Sequence, residues 1–183
     1  MFTLVTLRAS DLEASTRFYA TVLAPIGGGA GDLAVAAATT EDPVTQHLHI
    51  GFYVPTTELV HAFWDAGIAA GYRSDGDPGP RPVYGDDYYG GFLLDPDGNS
   101  AEAMTHHAKR VQGQIDHLWI RVEDVALARD EHRAACERAG YALTFDGPAR
   151  AQFKDAGASL SFVAGEPTAS VEIALREGVL LEI

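Results

Sequence analysis

The 183-residue sequence predicts an α+β fold built from a recurring strand–helix–strands unit. Three observations carry this. An alternating strand, a helix cap and an apolar helical stripe follow one another three times along the chain. A second repetition, of strand, polar loop and strand, links DLAVAAATTEDPVTQHLHIGF with SLSFVAGEPTASVEIAL and sets His49 opposite Glu172. Residues 88–104, YYGGFLLDPDGNSAEAM, read as a hairpin in which Pro96 fixes one corner of the turn while Gly98 and Asn99 accept the other.

In the first unit Val5, Leu7 and Ala9 alternate with Leu4, Thr6 and Arg8, as in a strand. Ser10 with Glu13 reads as a capping box for a helix whose stripe is Leu12, Ser15, Tyr19 and Val22. APIGGGAG then leads to one strand, DLAVAAAT, so this unit is two strands short. In the second unit Leu48, Ile50, Phe52 and Val54 form one strand face and His47, His49, Gly51 and Tyr53 the other. A helix capped by Thr56 or Thr57 follows and ends near Gly71. SDGDPGPRPVYGDD, rich in Gly, Pro and Asp, reads as a loop before the hairpin. After the turn, Ser100, Glu102 and Met104 share one face. In the third unit Leu118, Ile120 and Val122 oppose His117, Trp119 and Arg121, with Asp124 as cap and Gly140 as stop. Strands YALTFDG, RAQFKDAG, SLSFVAG, SVEIAL and GVLLEI complete it, and AKRVQGQ before it reads as a linker.

The composition is that of an ordinary globular protein, 46% hydrophobic and 21% charged. A net charge of −13 speaks against nucleic acid, which needs a basic face. No apolar run is long enough to span a bilayer, and Asp11 and Glu13 lie where a secretory signal would be apolar, so a cytoplasmic protein is expected. The one cysteine, Cys136, reads as a buried helical thiol.

The ordered motifs VTLRASDL, HIGFYVP, DPGPRPVY and YYGGFLLDPDGNSAEA resemble the vicinal oxygen chelate superfamily, the group of glyoxalase I, bleomycin-resistance proteins and extradiol dioxygenases. The similarity is closest over residues 1–107 and weaker from Ile115 onwards. It implies βαβββ modules that pair into curved mixed sheets around a cleft. Residues 1–107 would hold one pair, with an abbreviated first module and a second over 47–107. Residues 108–114 would be the linker and 115–183 a third βαβββ-like module. The resemblance also implies a small-molecule ligand and a homodimer, in which an exchanged strand would supply what the first unit lacks.

Metal-using members place ligands at the start of each module's first strand and on its last strand. In residues 1–107 the matching positions are Leu4, His49 and Glu102, and Leu4 cannot ligate. A second grouping pairs the second and third units around His49, Glu102, His117 and Glu182. Both groupings stand at this point. Two histidines and a carboxylate with open positions suit Fe, Mn, Ni or Zn, and Glu102 would double as the catalytic group. Arg8, Tyr53, Tyr88, Trp119 and Arg121 are the expected substrate contacts, the arginines for a carboxylate or phosphate and the rings for a flat ligand. Two functional readings follow: a metal-dependent lyase, isomerase or dioxygenase, or a metal-free protein that binds an antibiotic in an acidic, aromatic cleft. A half-buried strand histidine and a solvated edge glutamate would account for His49 and Glu102 without either.

Overall fold

The computed structural model describes residues 2–28, 31–107 and 110–183. The chain runs β1 (Phe2–Ala9), α1 (Leu12–Leu23), β2 (Leu33–Ala37), β3 (His49–Tyr53), α2 (Thr57–Ala69), β4 (Arg73–Pro80), β5 (Tyr89–Leu94) and β6 (Ser100–Thr105). It continues with β7 (Ile115–Val122), α3 (Val125–Arg138), β8 (Ala142–Asp146), β9 (Arg150–Lys154), β10 (Ser159–Ala164), β11 (Val171–Leu175) and β12 (Leu180–Glu182).

Local chemistry sets the helix ends. Asp124 caps α3 by accepting from the Leu127 N–H at 2.9 Å. At α1 the cap is Asp11, which accepts from Ala14 N–H at 3.0 Å, and not Ser10 as the capping-box spacing suggested. Ser10 is drawn away because its hydroxyl and N–H both donate to Asp97 in the β5–β6 turn. Gly71 and Gly140, at φ 86° and 84°, end α2 and α3 in the left-handed conformation that glycine adopts without strain.

Eight strands form one sheet in the order β4-β5-β6-β3-β7-β10-β9-β8. The second unit supplies β3 to β6 and the third β7 to β10, each with its first strand parallel to its last. Antiparallel pairing of β3 with β7 joins them at the middle, so the two units are related by a pseudo-twofold axis there. Of the two groupings read from the sequence, this is the one that joins the second unit to the third, and not the pairing inside residues 1–107. The reason lies in the first unit: with only β1 and β2 it offers no complete sheet to pair with. Its β1 instead takes β2 on one edge and β11 on the other, giving a separate sheet β12-β11-β1-β2. The first unit thus gains its further strands, β11 and β12, from the C-terminal segment of the same chain.

Two crossing segments tie the sheets together in matching fashion. The Thr45 hydroxyl accepts from Arg8 N–H and donates to Ser170 O, while the Thr168 hydroxyl accepts from Arg121 N–H and donates to His47 O. One hydrophobic core spans both sheets, with Val5, Ile173, Ile50, Leu118 and Phe162 packed against Phe18, Phe63 and Cys136 of the helices.

The first half of the stretch expected as a loop, residues 74–80, belongs to β4, an edge strand, and the second half is loop. Pro78 and Pro80 are tolerated because only one side of β4 is paired, and its register slips at Gly76 and Gly79. Of the linker expected over residues 108–114, Ala108 and Lys109 lie outside the described residues. Arg110 is folded into the protein rather than spanning solvent, its side chain only 9% exposed. Among the described residues no helix is long and apolar enough to cross a membrane.

Candidate metal centre

On β3 the period-two alternation sends Ile50 and Phe52 into the core and His49 to the opposite face. On β6 it buries Ala101 and Ala103 in the core and turns Glu102 to that same face. Parallel pairing sets Gly51 beside Glu102, and antiparallel pairing sets Gly51 beside His117. Gly51 therefore stands between the two, and a Cβ there would collide with the His117 ring. Gly90 on β5 does the same for Glu102, since a Cβ at that position would strike Oε1.

Three donor atoms meet in the space so made. His49 Nε2 lies 3.1 Å from Glu102 Oε2 and 3.0 Å from His117 Nε2, and His117 Nε2 lies 3.3 Å from Glu102 Oε2. Donors at right angles around an ion, each with a bond of about 2.1 Å, are about 3 Å apart, so the spacing fits one shared cation.

The surrounding hydrogen bonds orient each donor. The Ser100 hydroxyl gives its proton to Asp75 at 2.7 Å and so accepts from His49 Nδ1 at 3.2 Å, leaving a lone pair on His49 Nε2. His117 Nδ1 donates to Asp116 at 3.2 Å, and Tyr88 donates to Glu102 Oε1 at 2.8 Å. Asp116 also accepts from Arg110 at 2.9 Å and faces His106 at 3.3 Å.

Burial is the largest influence on every one of these groups. It pulls His49 below the ordinary imidazole value, with Glu102 offsetting it only in part, so His49 is neutral. Burial would raise Glu102, but the hydrogen bond and charge of His117 outweigh it and hold the carboxylate below its ordinary value, so it stays ionised. At His117 burial is overcome by Asp116 and Glu102, which push the imidazole up to about 9. Burial, then the charge of Glu102, lifts the Tyr88 phenol far above its ordinary value and keeps it a donor. One proton on His117 Nε2 thus holds the three groups together, and a cation in its place would meet two imidazole lone pairs and a carboxylate. The donor set fits a divalent metal.

The pseudo-twofold axis identifies a fourth position. Glu102 is paired with Gly51, and the residue paired with the equivalent Trp119 is Ser161. Ser161 is fully buried and its hydroxyl has no hydrogen-bond partner. Glu182, the expected fourth ligand, is on β12 of the other sheet beside Glu172, because GVLLEI leaves the third unit to pair with β11. That unit's true last strand is SLSFVA, which the sequence reading did not single out as the ligand-bearing strand.

The other expected residues divide. A cavity of about 300 Å³ over the triad is lined by Tyr88, Trp119 and Arg121, with Asp75, Tyr84 and Phe92. Arg8 lies elsewhere, 3.7 Å from Asp42 in a pocket of the four-stranded sheet, because β1 is not part of the cleft sheet. Tyr53 is on the cleft face of β3 but buried at its far end against His106. Leu4, opposite Ala174, is also remote from the triad. Asp116 and Ser161 went unread in the sequence: the first looked like an ordinary strand acid, and the second has meaning only through strand register.

Residues 2–103, more than half of the chain, match the family model of the Glyoxalase/Bleomycin resistance protein/Dioxygenase superfamily. The chain belongs to that superfamily. A glyoxalase/bleomycin resistance protein from Albidiferax ferrireducens T118 is 30% identical, with 57% of this chain and 98% of that one covered and a TM-score of 0.49. Glyoxalase I from Zea mays is 16% identical over 93% of this chain and 70% of its own, with a TM-score of 0.59, a likeness of fold. No curated protein matches the chain. Superfamily membership agrees with the paired-unit sheet and with a possible His–Glu–His metal site.

Proposed function

We propose that the protein is a mononuclear metal enzyme of the dioxygenase type, acting on a small organic molecule that presents two adjacent oxygens to a divalent ion held by His49, Glu102 and His117. The observation that carries this reading is the convergence of two histidines and one carboxylate within 3.0–3.3 Å while the fourth symmetry position is Ser161. Three protein ligands leave several positions open, the arrangement typical of non-haem iron(II) oxygenases, whereas a fourth protein ligand would close one of them. When bound, such an ion supplies Lewis acidity to the substrate oxygens and a place for a co-reactant.

The chain's own residues do the rest. Asp116 fixes the ring of His117, and Ser100 with Asp75 fixes that of His49. Tyr88 holds one oxygen of Glu102 so that the other faces the shared point, and Glu102 is the nearest base for a substrate hydroxyl proton. Tyr84, Phe92 and Trp119 wall the cavity with rings that exclude water and suit a flat ligand.

Anaerobic titration of tag-free protein with Fe²⁺, Mn²⁺, Ni²⁺ and Zn²⁺, followed by oxygen uptake of the Fe²⁺ form on a panel of catechols, tests the proposal. One ion per chain and catechol-dependent oxygen uptake are expected; metal binding without uptake on any member moves the reading to isomerase or lyase chemistry. A second reading, metal-free ligand binding, is favoured by one observation: the triad satisfies its own hydrogen bonds with a single proton. Absence of binding by all four ions would leave that reading in place.

A further inference from the structure

We propose that the cleft contains an oxyanion site on the third unit, in which Arg150 and Lys154 bind a carboxylate or phosphate carried by the same ligand whose oxygens face His49, Glu102 and His117. The shared-ligand clause rests on the metal-enzyme reading; the oxyanion site does not.

The charge pattern is the first argument. In a chain with 26 acids and 13 bases, a basic side chain readily finds a carboxylate. Arg8, Arg17, Arg110, Arg129, Arg133 and Arg176 all do so within 4.0 Å. Arg73, Arg81, Arg121, Arg138, Arg150 and Lys154 have no such partner among the described residues, and of these Arg150 and Lys154 line one cavity of about 390 Å³. The acids of that cavity are already taken. Asp87 accepts from the N–H of His107 and faces its ring at 3.5 Å, and Asp116 is held by Arg110, His106 and His117. Two cations therefore stand in a recess whose carboxylates are hydrogen-bonded to other groups.

Strand register is the second argument. Arg150, Gln152 and Lys154 alternate on the cleft face of β9, while Ala151 and Phe153 between them are fully buried. Lys154 is paired with Ser159 and Ser159 with His117, so Lys154 stands two strand spacings, about 10 Å, from the triad. The cavity shares Tyr84, Tyr88, His117 and Trp119 with the one over the triad, so one small molecule can reach both.

The side chains are also arranged for an anion. The Arg150 guanidinium rests over the Phe145 ring at 4.7 Å, which fixes its plane and leaves its donor edges for a planar or tetrahedral oxyanion. The Gln152 amide oxygen accepts from Thr144 at 3.2 Å, leaving its NH₂ as a further donor between the two cations. An acidic protein repels anions at long range, so cations lining the recess are what an anionic ligand requires here. The ligand class is a small organic acid or phosphate ester with adjacent oxygens at its far end. The charge that matters for this ligand is the one facing the cleft, not the net charge of the chain.

The test uses metal-free protein, so that it stands apart from the metal reading. Phenylacetate, phenyl phosphate and neutral benzyl alcohol are titrated at low ionic strength against the parent, R150Q/K154Q, K154E and R17Q proteins, with tryptophan fluorescence, to which Trp119 of the cavity wall contributes, as the readout. Saturable quenching by at least one oxyanion, none by benzyl alcohol at the same concentration, and weakening by roughly tenfold or more in R150Q/K154Q are expected. K154E alone, at an exposed position, should weaken binding in the same direction, and R17Q, at an exposed arginine of α1 paired with Glu13, should bind as the parent does. The tighter of the two oxyanions separates carboxylate from phosphate recognition. Equal binding of benzyl alcohol, unchanged affinity in R150Q/K154Q, or no saturable binding of either oxyanion overturns the proposal. Failed metal binding with intact oxyanion binding would remove the metal reading alone.

Discussion

Gly51 sits on β3 where the imidazole of His117 passes over the strand, and its missing side chain lets the ring reach His49. In HIGFYVP the glycine reads only as a gap in the strand; its purpose appears once β7 is laid beside β3. Gly51→Ala should displace His117, costing about 1–3 kcal/mol of stability by overpacking. It should weaken metal binding by roughly tenfold or more, since ligand orientation is lost; denaturant melts and metal titration of one preparation separate the two effects. Asp116 has a different role. It is buried between Arg110, His106 and His117, and Asp116→Ala would leave the Arg110 guanidinium buried without its counter-charge. A loss of about 3–5 kcal/mol is expected in urea unfolding. His49, Glu102 and His117 were readable as ligand types, but Asp116 and Ser161 were not, because neither lies in a motif and both matter only through contacts across strands.

Among the elements, the helices were the most legible, since cap, apolar stripe and glycine stop all lie within one stretch of sequence. The exception is instructive: Ser10 and Asp11 both qualify as caps by type, and the distant Asp97 decides between them by engaging Ser10. β4 was hidden because proline and glycine argue against a strand, and only its place at the sheet edge makes them acceptable. Cys136 on α3 is fully buried, and burial pushes its thiol up to about 12. Since the thiolate is the reactive form, a disulfide reagent at neutral to mildly alkaline pH should leave Cys136 untouched in the folded protein and react fully once it is denatured. Rapid labelling of native protein would show that α3 is not packed as described.

At the scale of the molecule, the repeated units were visible in the sequence but their partnership was not. The alignment of residues leading to His49 and Glu172 does correspond to a structural equivalence: both follow crossing segments, and Thr45 and Thr168 make matching bonds there. What could not be read is that GVLLEI joins β11 beside β1, which removes Glu182 from the cleft and leaves Ser161 as the symmetry mate of Glu102. Removing residues 171–183 should strip Ile173, Leu175 and Leu181 from the core and bare an edge of β1, so that size-exclusion chromatography finds aggregate instead of a compact species. The joining of the second and third units at β3–β7 is also what creates the centre, since His117 comes from one and His49 with Glu102 from the other. Anaerobic calorimetric titration of the parent and His117→Ala proteins with Mn²⁺ tests this most directly. One ion per chain in the parent, weakened by roughly 100-fold in the variant, is expected; no binding by the parent, or equal binding by both, would contradict a metal centre shared between the two units.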